Sequence, residues 1–172
     1  MKKIIYLPTN IANYFLSRAK QDGIKDMTPM KLIKLVYFSY AWNLAIFERK
    51  LFYENIEAWK YGPVIQPIYH EFKCFGSSDI TCAATVFDVD TFDLIEPRPE
   101  GDEDVLALIK TIWHEYGSFS ALKLSSMTHI SNGPWAKARV GHEEARSVPI
   151  PNESIKQYFE KLAGIEETAN AA

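Results

Sequence analysis

Histidine and glutamate are neighbours at three places in this 172-residue chain, and a base beside an acid is the simplest pattern that could transfer protons. The pairs are His70-Glu71, His114-Glu115 and His142-Glu143. Adjacent residues on a helix do not face each other, so spacing alone makes none of these pairs a catalytic dyad. The sequence also contains no His-Glu-x-x-His zinc motif, no phosphate-binding glycine loop and no serine nucleophile elbow.

The two cysteines offer a second kind of chemistry. His70 and Cys74 are four residues apart and would share a helix face, with Cys82 nearby. A zinc site would need a fourth ligand, and a cysteine nucleophile would need an activating environment that the pattern does not show. The ordinary interpretation is a buried thiol beside a surface histidine, so we expect no metal and no cofactor. A small enzyme that uses His129 or Cys74 is kept as an alternative.

Tryptophan and tyrosine are the next candidates, because they fill helical cores but also dominate binding hot spots. Trp59 and Tyr61 lie two residues apart around a turn, where one could point inward and the other outward. His129 and Pro134-Trp135 either pin two helices together or form a rim beside the turn at 59–63. The sequence leaves both alternatives open.

Lys31 and Lys34 are three residues apart and share one side of a predicted helix. Lysine pairs of this kind ordinarily form a solvated face. The alternative is a basic contact, either with an acidic partner surface or with the segment that holds Glu54 and Glu57. The net charge of −3 divides into +5 over residues 1–60 and −8 over residues 61–172. This basic half could meet an acidic partner but lacks the clustered stripe typical of a nucleic-acid binder.

Length and composition predict one domain of ordinary globular type, placed at residues 1–163 with a flexible tail at 164–172. No apolar run approaches the ~20 residues needed to span a bilayer. The N-terminus begins like a signal peptide, but Pro8 and Asn10 interrupt its apolar run. We therefore expect a cytoplasmic protein, no membrane contact and reduced cysteines.

Hydrophobic periodicity predicts a mainly α fold with a small β element, a compact helical bundle around a central helix near residues 29–48. Thr28 is the expected cap of that helix, Thr9 or Asn10 of the first helix and Asn152 of the last. A weak period-two pattern predicts an extended segment or short hairpin near residues 51–59. Gly62-Pro63 is expected to break the chain before a third helix that ends at Gly76. Residues 77–100 fit an ordered loop or a short strand pair.

Two blocks of rare residues in fixed order resemble a known family. The first is Thr28-Pro29-Met30-Lys31-Leu32, followed by Glu57-Ala58-Trp59-Lys60-Tyr61-Gly62-Pro63-Val64 and Pro67-Ile68-Tyr69. The second is Leu124-Ser125-Ser126-Met127-Thr128-His129 with Gly133-Pro134-Trp135. Together they resemble the Panacea domain, also called the SocA-like antitoxin domain, which is often carried by prophages. The resemblance covers roughly residues 9 to 162.

The resemblance implies an antitoxin that neutralises a cognate toxin protein, encoded by a neighbouring gene, through direct binding. A second mode in the family is a proteolytic adaptor that hands the toxin to a Clp-type protease, and a homodimer is compatible with either mode. Some members attach a DNA-binding domain; none is seen before Thr9 or after Leu162, so nucleic acid is not an expected partner. Tyr61 is a candidate contact together with the residues that match the family pattern, which are Lys31, Lys34, Tyr37, Glu57, Trp59, Gly62, Pro63, Tyr69, His129, Pro134 and Trp135.

Overall fold

The computed structural model describes residues 3–165, and about half of them form helices arranged around one long helix. The helices are α1 (Pro8–Gln21), α2 (Pro29–Phe47), α3 (Gln66–Phe72), α4 (Glu103–Tyr116), α5 (Ala121–Thr128), α6 (Pro134–Arg139) and α7 (Asn152–Ala163). Two small antiparallel sheets complete the described part of the chain. The mainly α fold with a small β element is confirmed.

Helix α2 is the predicted central helix, and 15 of its 19 residues are buried. A helix this apolar on all sides must be surrounded, and α1, α4, α5 and α7 all pack against it. Its start follows from local chemistry, because Thr28 Oγ1 accepts a hydrogen bond from the Lys31 backbone N–H and Pro29 occupies the first helical position.

Two other predicted caps are wrong. Helix α1 begins one residue before Thr9, and Leu7 is the cap. Asn10 lies inside the first turn, where its Oδ1 accepts from the Leu7 N–H at 2.9 Å. Asn152 is the first residue of α7, not its cap, and its Oδ1 accepts from the Tyr40 hydroxyl at 2.9 Å. In both places the polar side chain finds a partner other than the one that sequence spacing favours.

The hairpin lies later than predicted. Residues 51–54 form bends, and the two strands are β1 (Glu57–Trp59) and β2 (Gly62–Val64), so Gly62-Pro63 belongs to a strand and is not a break. Pro63 is tolerated because β2 is an edge strand in the order β2-β1-β5, with β5 at Val148–Pro149. Helix α3 begins where expected but stops at Phe72, and a single turn of 3₁₀ helix carries the chain to Gly76.

Residues 77–100 contain the strand pair that was one of two predictions for this segment. Strand β3 (Val86–Asp88) pairs with β4 (Asp93–Ile95). The strand pair is held on α1 from both sides, because the buried Asn13 amide donates to the carbonyls of Ala84 and Pro97 at 2.9 and 3.0 Å.

No helix of residues 3–165 is long and apolar enough to cross a membrane. Gly164 and Ile165 end the described part of the chain, so the predicted tail at 164–172 lies outside it from residue 166 onward.

Candidate binding groove

A groove of about 860 Å³ opens between the start of α2, hairpin β1–β2, α3 and the loop after α6. We call it the Trp59 groove. Its lining is Pro29, Met30, Ile33, Lys34, Trp59, Lys60, Tyr61, Val64, Tyr69, Lys73, Gly76, Arg139, Glu143, Glu144, Ala145 and Arg146. The groove surface is mainly apolar and aromatic, and its basic side chains outnumber its acidic ones.

Trp59 forms one wall and is half-buried. Its ring meets the Tyr69 ring edge to face at 4.8 Å, and the Arg146 guanidinium lies 5.7 Å from the ring centre. Arg146 can contact the ring through a cation–π interaction at that distance. Tyr61 also lines the groove but is 60% exposed, with the Lys60 ammonium 5.4 Å from its ring. The two aromatics therefore differ in exposure, but they do not lie on opposite sides of the hairpin with respect to the groove.

Glu57 holds the Trp59 side chain in place. Its carboxylate accepts from Trp59 Nε1 at 2.8 Å, from Gln66 Nε2 at 2.9 Å and from Ser147 Oγ at 2.6 Å. Partial burial opposes ionisation of Glu57, but these hydrogen bonds outweigh it and lower the pKa of the carboxyl. The carboxylate therefore ties β1, α3 and the loop before β5 together, and it does not pair with either predicted lysine.

His129 and Trp135 lie behind the hairpin. The Trp135 Nε1–H donates to the Trp59 carbonyl at 2.7 Å, and the His129 ring packs 4.0 Å from the Trp135 ring. His129 Nδ1 in turn donates to the Ser125 carbonyl at 2.6 Å. These contacts attach α5 and α6 to the turn at residues 59–63. His129 and Trp135 therefore pin helices and adjoin the turn, and their role as a binding rim stays a prediction.

The predicted solvated lysine face is wrong, because both lysines are buried against the surrounding elements. Lys31 is 1% exposed, and its ammonium pairs with Asp26 at 2.6 Å. Lys34 is 2% exposed and donates to the Pro63 carbonyl at 2.9 Å. No carboxylate of residues 3–165 lies within 4.0 Å of the Lys34 ammonium. Desolvation lowers the pKa of Lys34 to about 7.

Gly62 allows the Lys34 side chain to approach the hairpin. Its φ is +105°, a backbone shape that favours glycine. A Cβ atom there would lie 2.8 Å from Lys34 Nζ and 2.7 Å from Thr128 Oγ1. The small residue in the family motif therefore has a packing reason as well as a conformational one.

The remaining predicted residues lie away from the groove. Tyr37 is buried against Phe159 in the core, where burial raises the pKa of its hydroxyl, and Pro134 borders a separate cavity of about 210 Å³. Cys74 is exposed, so the expected buried thiol is wrong. Within residues 3–165 no three side chains of metal-ligating type come together.

Sequence reasoning missed four basic groove residues, because they come from separate parts of the chain. They are Lys60, Lys73, Arg139 and Arg146. Arg139 also holds the loop after α6, since it donates to the backbone carbonyls of Ala58, Glu143 and Ala145. No spacing rule could connect these positions before the fold brings them together.

The fold is a helical domain with a groove on one side, and comparison with known proteins gives its family. The model of the antitoxin SocA-like, Panacea domain family matches residues 32–136. The chain belongs to this family, which confirms the assignment made from the motifs.

A curated relative supports the assignment. Antitoxin SocA of Caulobacter vibrioides (strain NA1000 / CB15N) is 32% identical over 125 residues, or 73% of this chain. The aligned part spans 66% of that relative's own length, a little less than two thirds. No solved structure matches the chain.

Proposed function

We propose that this protein is the antitoxin of a toxin–antitoxin pair and neutralises its toxin, encoded by a neighbouring gene, by binding it in the Trp59 groove. The observation that carries the proposal is the groove itself. Family-motif side chains hold its aromatic wall by hydrogen bonds, whereas Tyr61 and Lys60 at its rim are exposed. A fixed aromatic wall with a basic rim has the composition of a protein-binding hot spot.

Lys34 specifies the chemistry that the partner should present. A buried ammonium without a carboxylate partner carries a desolvation penalty, and an anionic group brought close to it would offset that penalty. The rim adds Lys60, Lys73 and Arg146, against Glu143 and Glu144. A toxin segment that combines an apolar or aromatic side chain with Asp or Glu fits this surface. Complementary charge would accelerate the encounter as well as orient it.

The proteolytic adaptor is a second mode of the same contact, in which bound toxin passes to a Clp-type protease. The two modes differ in the toxin's fate. Direct neutralisation leaves toxin half-life unchanged, whereas adaptor function shortens it only in cells with an intact Clp protease.

The enzyme alternative has less support. His129 Nδ1 is occupied by the Ser125 carbonyl, and its ring packs on Trp135. Both contacts suit a structural anchor. We expect Cys74→Ser to rescue cells as well as the unchanged protein does. His129→Gln should also rescue if it remains folded, and loss of rescue by a folded variant of either residue would restore the enzyme hypothesis.

The deciding experiment expresses the neighbouring reading frame from an inducible promoter, with and without this protein. The expected result is growth arrest by the neighbour alone, rescue by the pair and co-purification of the two proteins. The groove variant Lys60→Glu/Arg146→Glu should lose rescue and co-purification. Lys110→Glu on α4 is the matched control, since Lys110 is exposed and lies outside the groove.

Two outcomes would contradict the proposal. A neighbour that is harmless when expressed alone would contradict the antitoxin role. A groove variant that still co-purifies with an active toxin would leave the role standing but exclude this surface.

A further inference from the structure

Hairpin β3–β4 presents apolar side chains to solvent. Phe87, Phe92 and Leu94 are 57%, 81% and 63% exposed. Phe87 and Leu94 are register partners and therefore lie on one face of the ribbon, and the Phe92 ring meets the Phe87 ring edge-on at 6.1 Å. An exposed apolar cluster on a two-stranded ribbon is typical of a binding surface.

Acidic side chains surround this apolar cluster. Asp88 and Asp93 are directly opposite each other in the strand pair, and Asp90 lies in the exposed turn between the strands. Glu96 follows β4 and is paired with Arg98 at 3.2 Å. The hairpin is therefore an acidic, aromatic ribbon that protrudes from α1.

The Trp59 groove has the complementary chemistry within the same chain. Its walls are aromatic, its rim carries Lys60, Lys73 and Arg146, and Glu143 and Glu144 only partly offset that charge. The hairpin does not fill the groove of its own chain, because its apolar side chains are exposed. A second copy of the chain would carry the complementary surface for each of them.

We propose that hairpin β3–β4 of one copy binds the Trp59 groove of a second copy, and that two reciprocal contacts close a dimer. We do not expect a hairpin-to-hairpin or a groove-to-groove contact, because two acidic hairpins or two basic grooves would repel each other. When the hairpin of each copy binds the groove of the other, all four surfaces are used. No surface is then left to add a third copy. The inference rests on the groove proposed above as a binding surface, but not on the partner there being a toxin.

The test measures the mass of the purified full chain by sedimentation equilibrium at low and high salt. The unchanged protein should dimerise at low salt and dissociate as salt screens the contact. The hairpin variant Asp90→Lys/Phe92→Asn and the groove variant Lys60→Glu/Arg146→Glu should each be monomeric. Their equimolar mixture should regain association, because an intact groove then meets an intact hairpin.

The control variant Lys110→Glu should dimerise like the unchanged protein, and thermal melting should show that all variants are folded. A monomeric unchanged protein, dimeric variants or a mixture that stays monomeric would each overturn the inference. Rescue by the hairpin variant separates this inference from the proposed function. That variant should lose the dimer and still neutralise, whereas the groove variant should lose both.

Discussion

The two hairpins within residues 3–165 have strands of equal length and opposite surroundings. Strand β2 of the first hairpin is buried along its whole length, whereas β4 of the second is exposed along its whole length. Side chains from α2, α5 and α6 bond to the backbone of the first at Pro63, Tyr61 and Trp59. The second is held on α1 at its two ends.

The two hairpins therefore differ in how far the surrounding protein holds them in place. The first hairpin lies where tertiary contacts hold its backbone, so it can keep a binding wall in one geometry. The second carries few contacts that oppose a change of side chain, so its surface chemistry can vary at little cost in stability. Four of the residues that match the family pattern, Glu57, Trp59, Gly62 and Pro63, lie on the first hairpin, and none lies on the second.

The largest expected effect is at Gly62. Gly62→Val should lower the free energy of unfolding by about 3 kcal/mol, because a β-branched residue is strained at positive φ and its Cβ would overlap Lys34 and Thr128. Gly23→Val is the matched control, since Gly23 also has positive φ but has no atom near its Cβ position. Chemical denaturation checks both. Equal losses at the two positions would show that the close approach at Gly62 has no energetic consequence.

Replacement of Lys34 should stabilise the protein, whereas replacement of Gly62 should destabilise it. Lys34→Met should raise the free energy of unfolding by about 2 kcal/mol, because it removes a buried ammonium that has no carboxylate partner. The same change should weaken toxin binding. Lys31→Met is the control, since Lys31 has Asp26 as its partner, and it should not stabilise. A destabilised Lys34→Met protein would mean that the Pro63 hydrogen bond outweighs the desolvation penalty.

The pH dependence of stability provides an independent test of Lys34. Its pKa is lowered in the folded protein to about 7, so the unfolded chain holds the extra proton between that pH and the ordinary lysine range. Stability should therefore rise with pH above about 7, with a slope approaching ~1.4 kcal/mol per pH unit, and Lys34 should contribute no slope well below 7. The measurement is the stability difference between the unchanged protein and Lys34→Met, which cancels other groups. A flat difference would contradict burial of this ammonium.

The smallest effect is expected at the exposed hairpin. Phe92 has φ +55°, a region that Asn tolerates better than Phe, and its side chain is 81% exposed. Phe92→Asn should change the free energy of unfolding by less than ~0.5 kcal/mol in either direction. A loss comparable with that of Gly62→Val would remove the contrast between the two hairpins.

The sequence by itself determined the family, the central helix and its Thr28 cap, because these depend on local order and periodicity. It left open how Trp59 and Tyr61 are oriented, and in the structure both line the groove, with Tyr61 the more exposed. The position of the hairpin and the caps of α1 and α7 were missed. A period-two pattern in a short segment is weak, and a polar side chain near a helix end can find other partners.

Only the tertiary structure decided the environment of the two lysines and the membership of the groove. Lys31 and Lys34 have the same residue type on the same side of one helix, yet Asp26 partners the first and a backbone carbonyl the second. Lys60, Lys73 and Arg146 come from three separate segments and line the same groove. Local sequence sets which face a residue takes on its own helix. Burial and charge pairing depend on the elements that pack against that face, and these elements come from distant parts of the chain.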